Sequence, residues 1–390
     1  MLNSTSNTYQ MKREILNFSA KISRKLSKPG KKFTADMTYG MLASESCLLT
    51  DIVDQLHESA KKVNSVERLT RHLNQGIPNE ALHSYLSLIR KWAPSEPVIH
   101  IDDSDVVKPD GYKFQNLGLV RDGSKSTEKK NVYEKGYHVT EACVITSSDH
   151  PVSIFSKIHS SKEKDFTSVN DVTFSAMERG RHLFGKATFV MDRGYDDNKM
   201  FLKLDALEQD YVIRLTSKRK LFFHNKWVPA TQLRNQRKGK IKTPVFYKGK
   251  EREAYLSHVK VQITASRKDI YLVLVYGLTE HPMMLATNKT INSKDDVIRI
   301  ARLYFSRWGK IPISVFFPLC RFFINADFFD NCCKNVVFYS SYRHYFRPHS
   351  FLRTSSSSAY LNAISSLNTA FSDSFSLRCA CRFISSVALA

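Results

Sequence analysis

Two aspartates close short apolar runs: Asp102 ends "PVIHID", and Asp192 follows "KATFVM". A carboxylate at the end of a buried strand is costly unless something pairs with it. Two of them brought together by adjacent strands would repel, so a divalent cation is their natural partner. Mg²⁺, or Mn²⁺ in its place, takes oxygen ligands, usually one or two carboxylates completed by water and phosphate. Metals held in this way activate a water and stabilise the leaving oxygen of a phosphodiester. An aspartate after a strand is more often a loop or helix-cap residue, so spacing alone leaves the pair open.

The elements that would position these acids are legible from periodicity. Residues 96–215 read β-β-β-α-β-α-β. "PVIHID" is the first strand, followed by a long polar loop. "GYHVTEACVIT" and "PVSIFSKIHS" are two strands split by the turn-forming "SSDHP". A helix over 165–184, the strand "KATFVM", the helix "DDNKMFLKLDALEQD" and the strand "YVIRL" complete the set. Residues 216–292 are rich in basic and β-forming residues and read as a small antiparallel insertion. Ser293 then caps the helix "KDDVIRIARLYFSRW", with Asp295 and Asp296 in its first turn, where the helix dipole favours acids. Residues 1–95 carry helical spacing, as in the stripe Leu82, Leu86 and Ile89. Within them the basic stretch "MKREILNFSAKISRKLSKPGKKF" suits contact with phosphates.

Composition narrows the partners. The 390 residues carry 59 Lys and Arg against 37 Asp and Glu, a net charge of +22, which points to a polyanion such as nucleic acid. No signal-peptide core and no membrane-spanning run is visible, and there is no phosphate-binding G-x-x-x-x-G-K-[ST] loop, so no membrane and no nucleotide cofactor are expected. Seven cysteines, an odd number, do not form a disulfide framework, and a reducing compartment is expected. Residues 309–390 change character. They contain no Glu, only two Lys, and five of the seven Cys. An out-of-frame or foreign continuation accounts for that composition most simply, and the tail is expected to fold poorly. Its pairs Cys332-Cys333 and Cys379-x-Cys381 lack zinc-hairpin spacing.

Taken together, "HIDDSD", "FVMDRGYDD" and "LYFSRW" resemble the DDE transposases of bacterial insertion sequences, in particular the group with a Y-x2-R-x3-E-x6-K signature around its third acid. The resemblance covers roughly residues 30–308. It implies a ribonuclease-H-like mixed sheet core of the α/β class, a β-rich insertion between the second Asp and the Glu, and a helical N-terminal domain that binds DNA. By motif it makes Asp102 the first catalytic and metal-binding acid, with Asp103 and Asp105 as lesser choices, and Asp192 the second. Tyr304 and Arg307 match the signature, three apart on one helix face. The resemblance implies that Arg307 meets DNA phosphate, and Arg193, beside the second Asp, could do the same. The implied partners are Mg²⁺ or Mn²⁺ and double-stranded DNA, bound by a homodimer in a bacterial cytoplasm at the nucleoid.

The sequence then departs from the signature. Counting from Arg307, the Glu should fall at 311 and the Lys at 318; Ile311 and Pro318 stand there. Pro312 stops or kinks the helix at the same place. Two functions therefore compete: a metal-dependent DNA-cleaving and strand-transferring enzyme, defective for want of its third acid, or a non-catalytic remnant that binds element ends or an intact transposase.

Overall fold

The computed structural model describes residues 2–76, 78–127 and 130–308. Positions 311 and 318 and the whole of the tail lie outside the described residues. Two compact units divide at Ser84/Tyr85.

The first unit is helical: α1 (Leu2–Ile22), α2 (Lys28–Ser44), α3 (Leu49–Leu56) and α4 (Lys62–Asn74). Ser27 caps α2, its hydroxyl accepting from the Gly30 N–H, and Pro29 sits in the first turn, where a missing N–H costs nothing. The loop after α3 is held by Glu58, which accepts from Lys32 at 2.6 Å, from Ser65 at 2.6 Å and from Arg68 at 3.0 Å. The division falls within α5 (Asn79–Trp92).

In the second unit, β1 (Val98–Val107), β2 (Gly118–Arg121), β3 (Tyr133–Ile145) and β4 (Pro151–His159) precede α6 (Val169–Phe184). Then come β5 (Thr188–Met191), α7 (Asn198–Ala206) and β6 (Asp210–Arg214). The spatial order is β4-β3-β1-β5-β6. β1, β5 and β6 run parallel, while β3 is antiparallel to β1 and β4. This is a ribonuclease-H-like core, with α6 and α7 as the crossovers between parallel strands. Ser168 caps α6, accepting from the Asp171 N–H. Gly180 lets α6 lie close on the sheet: a Cβ there would meet Ile99 Cδ1 at 2.6 Å and Phe189 Cζ at 2.9 Å.

The sheet does not stop at β6. After β7 (Lys220–Phe223), β8 (Lys226–Pro229), α8 (Ala230–Gln236) and β9 (Ile241–Tyr247) come β10 (Lys250–Ile263), β11 (Asp269–Tyr276) and β12 (Met283–Thr287). The order continues β6-β12-β11-β10-β7-β8, with β9 on β10, so the basic β-rich segment extends the same hydrogen-bonded sheet. α9 (Lys294–Phe305) closes the described chain, followed by a 3-10 turn, Ser306–Trp308. Its start is a capping box: the Ser293 hydroxyl accepts from the Asp296 N–H at 3.2 Å, and the Asp296 carboxylate accepts from the Ser293 N–H at 2.9 Å. Val297, Ile300, Tyr304 and Phe305 bury against Val190 and Val212 of the central strands and Val245, Tyr247 and Leu256 of β9 and β10.

One expectation needs correcting. The first strand does not end at Asp102 but runs to Val107, and part of the following stretch forms β2. The polar run "DDSD" stays in the ladder because β3 supplies partners for its acids. Thr140, opposite Asp103, donates to it at 2.6 Å, and His138, opposite Asp105, lies 2.6 Å from its carboxylate. Polarity alone read as a loop, and cross-strand satisfaction overrode it.

Candidate active site

Parallel register fixes the first part of the site. Ile101 pairs with Met191, and Met191 with Ile213. The next residues along the three strands are Asp102, Asp192 and Arg214, so two acids and a base stand side by side, Asp102 in the middle of β1 and the other two at the carboxyl ends of β5 and β6. Strand alternation sends Asp102 and Asp103 to opposite faces. Asp103 and Asp105 are engaged by Thr140 and His138, whereas Asp102 faces the turn after α9.

That turn brings the third part. Arg307 Nη2 lies 3.2 Å from Asp102 Oδ1 and Nη1 3.7 Å from Asp192 Oδ1. Its side chain is only 7% exposed, while those of Asp102 and Asp192 are 48% and 37% exposed. Tyr304, fully buried, donates its hydroxyl to Asp192 Oδ1 at 3.2 Å. The same oxygen accepts the Arg193 N–H at 2.7 Å and lies 3.9 Å from Arg214 Nη1. Core packing and polar contact therefore coexist at Tyr304. Ser306 anchors the turn: its hydroxyl donates to Leu303 O at 2.7 Å and lies 2.9 Å from His100 Nε2. With the hydroxyl hydrogen spent on Leu303, the imidazole N–H is the donor. Burial and then the nearby Arg307 charge push His100 down to about 3, so it stays neutral.

The electrostatics fit a site built for cations. Burial raises Asp102, Arg307 opposes that rise, and Asp192 and Asp103 add to it. Asp103 is also raised by burial, against the hydrogen bond of Thr140. Burial disfavours the Arg307 charge, but Asp102 foremost, with Tyr304 and Asp192, more than offsets it and raises its pKa. A cleft of about 200 Å³ adjoins, with Asp102, Asp103 and Asp192 among its lining residues.

Among the described residues no group of three or more His, Cys, Asp or Glu side chains is placed to hold a metal. A hard cation that keeps waters and takes phosphate oxygens needs only one or two carboxylates, and Asp102 and Asp192 fit that requirement.

Asp102, Asp192, Arg193, Tyr304 and Arg307 gather here, from β1, the segment after β5, and α9 with its turn, but in different surroundings; Asp103 and Asp105 are engaged by β3 instead. Arg307 faces inward to the carboxylates, whereas Arg193 is exposed and offers its backbone N–H to Asp192. Sequence reasoning missed Arg214 and Arg219. The signal for Arg214 was available, since "YVIRL" carries a charged residue at the end of an apolar run just as "FVMD" does. Arg219 gave no local signal. It binds Asp196, four residues after Asp192, with Nε at 2.8 Å and Nη2 at 2.6 Å from Oδ1, and reaches Asn198 and Thr264 through Nη1. Thr216 donates to the other oxygen of Asp196 from its N–H at 2.7 Å and its hydroxyl at 2.9 Å. This cluster ties the loop that follows Asp192 to the segments flanking β7 and β10.

No curated protein sequence matches the chain. Among solved structures, the crystal structure of the NurA nuclease from Sulfolobus solfataricus aligns over 65% of this chain and 85% of that one, at 10% identity and a TM-score of 0.28, too low to carry an argument. The model of the transposase DDE domain matches residues 93–310, more than half of the chain, and spans Asp102, Asp192, Tyr304 and Arg307. By that match the chain belongs to the transposase DDE domain family.

Proposed function

We propose that this chain is a DDE-type transposase with two of its three acids in place, which binds DNA and divalent metal but does not cut. Asp102 and Asp192 would hold Mg²⁺ or Mn²⁺, and the metal would supply an activated water and charge stabilisation at a phosphodiester. The exposed Arg193 and the basic first unit would hold DNA backbone. The observation that carries the reading is the convergence of Asp102, Asp192, Tyr304 and Arg307 on one another, set beside Ile at position 311. The family match stops one residue short of that position. Seven residues after Tyr304, two turns along a continued helix, a Glu would face the same carboxylates; an Ile cannot bind metal. The alternative is an active cleaving and strand-transferring enzyme. A cleavage assay with Mg²⁺ or Mn²⁺ on DNA spanning the borders of the element, run beside a gel-shift titration, separates the two. Binding without cutting is expected. Cutting that disappears in Asp192→Asn would refute the proposal.

A further inference from the structure

Arg307 occupies the place where a cation belongs. Its guanidinium reaches both strand-borne carboxylates and its side chain is nearly enclosed. Two like charges cannot sit against the same pair of carboxylates without strong repulsion at reduced dielectric. The contacts are also loose: 3.2 and 3.7 Å exceed the roughly 2.7–2.9 Å of a well-formed charge-assisted bond. Asp192 keeps other partners if the guanidinium leaves, because Tyr304, the Arg193 N–H and Arg214 remain around Oδ1. Arg307 sits on a 3-10 turn, one residue beyond the Ser306–His100 contact, so its side chain can turn away while the turn stays anchored.

We propose that Arg307 is an intramolecular competitor for the divalent cation. In the DNA-free chain it neutralises Asp102 and Asp192 and weakens metal binding. When DNA arrives, a backbone phosphate takes the guanidinium in a forked contact and leaves the carboxylates to the metal. Metal and DNA are thereby coupled, and linkage requires each to tighten the other by the same factor. The inference rests on reading Asp102 and Asp192 as the metal ligands.

The test is Mn²⁺ binding to the full chain, followed by electron paramagnetic resonance, with and without a short duplex of arbitrary sequence at low salt. Without DNA, Arg307→Gln should bind Mn²⁺ about tenfold more tightly than the wild type, the size of a typical coupling. The duplex should tighten Mn²⁺ binding to the wild type and have a much smaller effect on the variant. Equal or weaker DNA-free Mn²⁺ binding by Arg307→Gln overturns the proposal. If circular dichroism shows that variant unfolded, Arg307→Lys carries the test. Its shorter stem and unforked ammonium should raise DNA-free affinity severalfold, and no rise overturns the idea. Asp102→Asn and Asp192→Asn separate the underlying reading. Wild-type Mn²⁺ affinity in both would refute the ligand assignment itself, whatever Arg307 does.

Discussion

Replacing Arg219 by Ala should destabilise the second unit by about 3 kcal/mol, the lower end of what breaking a buried ion pair costs. The side chains of Asp196 and Arg219 are 1% and 10% exposed. The substitution removes both contacts to Asp196 Oδ1, the bond to Asp196 O, and the bonds to Asn198 and Thr264. It strands a carboxylate whose remaining support is Thr216 on the other oxygen. That support holds the cost near the lower bound. In a unit of this size each kcal/mol lowers the midpoint by about 2–4 °C, so a fall of about 6–12 °C is expected. Thermal melts followed by circular dichroism measure it. The double variant Asp196→Ala/Arg219→Ala should be no worse than Arg219→Ala alone, since it leaves no unpaired charge. A single variant within about 1 kcal/mol of the wild type, or a double variant with additive losses, would refute the argument that a buried charge is being stranded.

Two further outcomes follow from local geometry. In Gly180→Val, Cβ meets Ile99 and Phe189 at 2.6 and 2.9 Å, so overpacking should cost about 1–3 kcal/mol in urea titration. Glu58 is held down to about 2, first by its hydrogen bond to Lys32 and then by Ser65 and Arg68. A depressed carboxylate contributes stability that is present above its unfolded pKa and lost as pH falls through the folded one. The first unit should therefore weaken between about pH 4.5 and 2. Glu58→Gln should flatten that loss at a neutral-pH cost of about 1 kcal/mol after solvent screening, and an unchanged acid titration by circular dichroism would count against the network.

How much of this was legible from the residues depended on where the physics was local. Ser293 and Asp296 announced the start of α9, because capping acts within one turn. The apolar runs ending in Asp102 and Asp192 announced β1 and β5, because buried parallel strands read as continuous apolar stretches. The continuation of β1 through "DDSD" was not legible, since it rests on Thr140 and His138 some 35 residues away, a pairing that sequence spacing does not report. The pairing of β12 with β6, which makes the basic segment part of one sheet, is non-local in the same way. At the site, the motif identified Arg307 but not its direction. Only packing of α9 on the sheet decides whether that guanidinium meets solvent or carboxylate.

The charges at the strand ends suggest why direction matters. Asp102 and Asp192 carry two negative charges, and Arg307 and Arg214, drawn toward them, carry two positive ones. The charges of these four groups thus cancel when no metal is present, which lets the partly buried Asp102 and Asp192 stay together without a cation. A bound divalent metal would leave an excess of two positive charges, and the exposed Arg193 beside Asp192 would add a third. Such an excess is stable only against an anion, and a nucleic-acid backbone supplies one. The same arrangement that tolerates an empty pair of acids thus disfavours a metal without DNA, and an uncharged Ile at position 311 leaves that excess uncompensated, where a Glu would offset part of it.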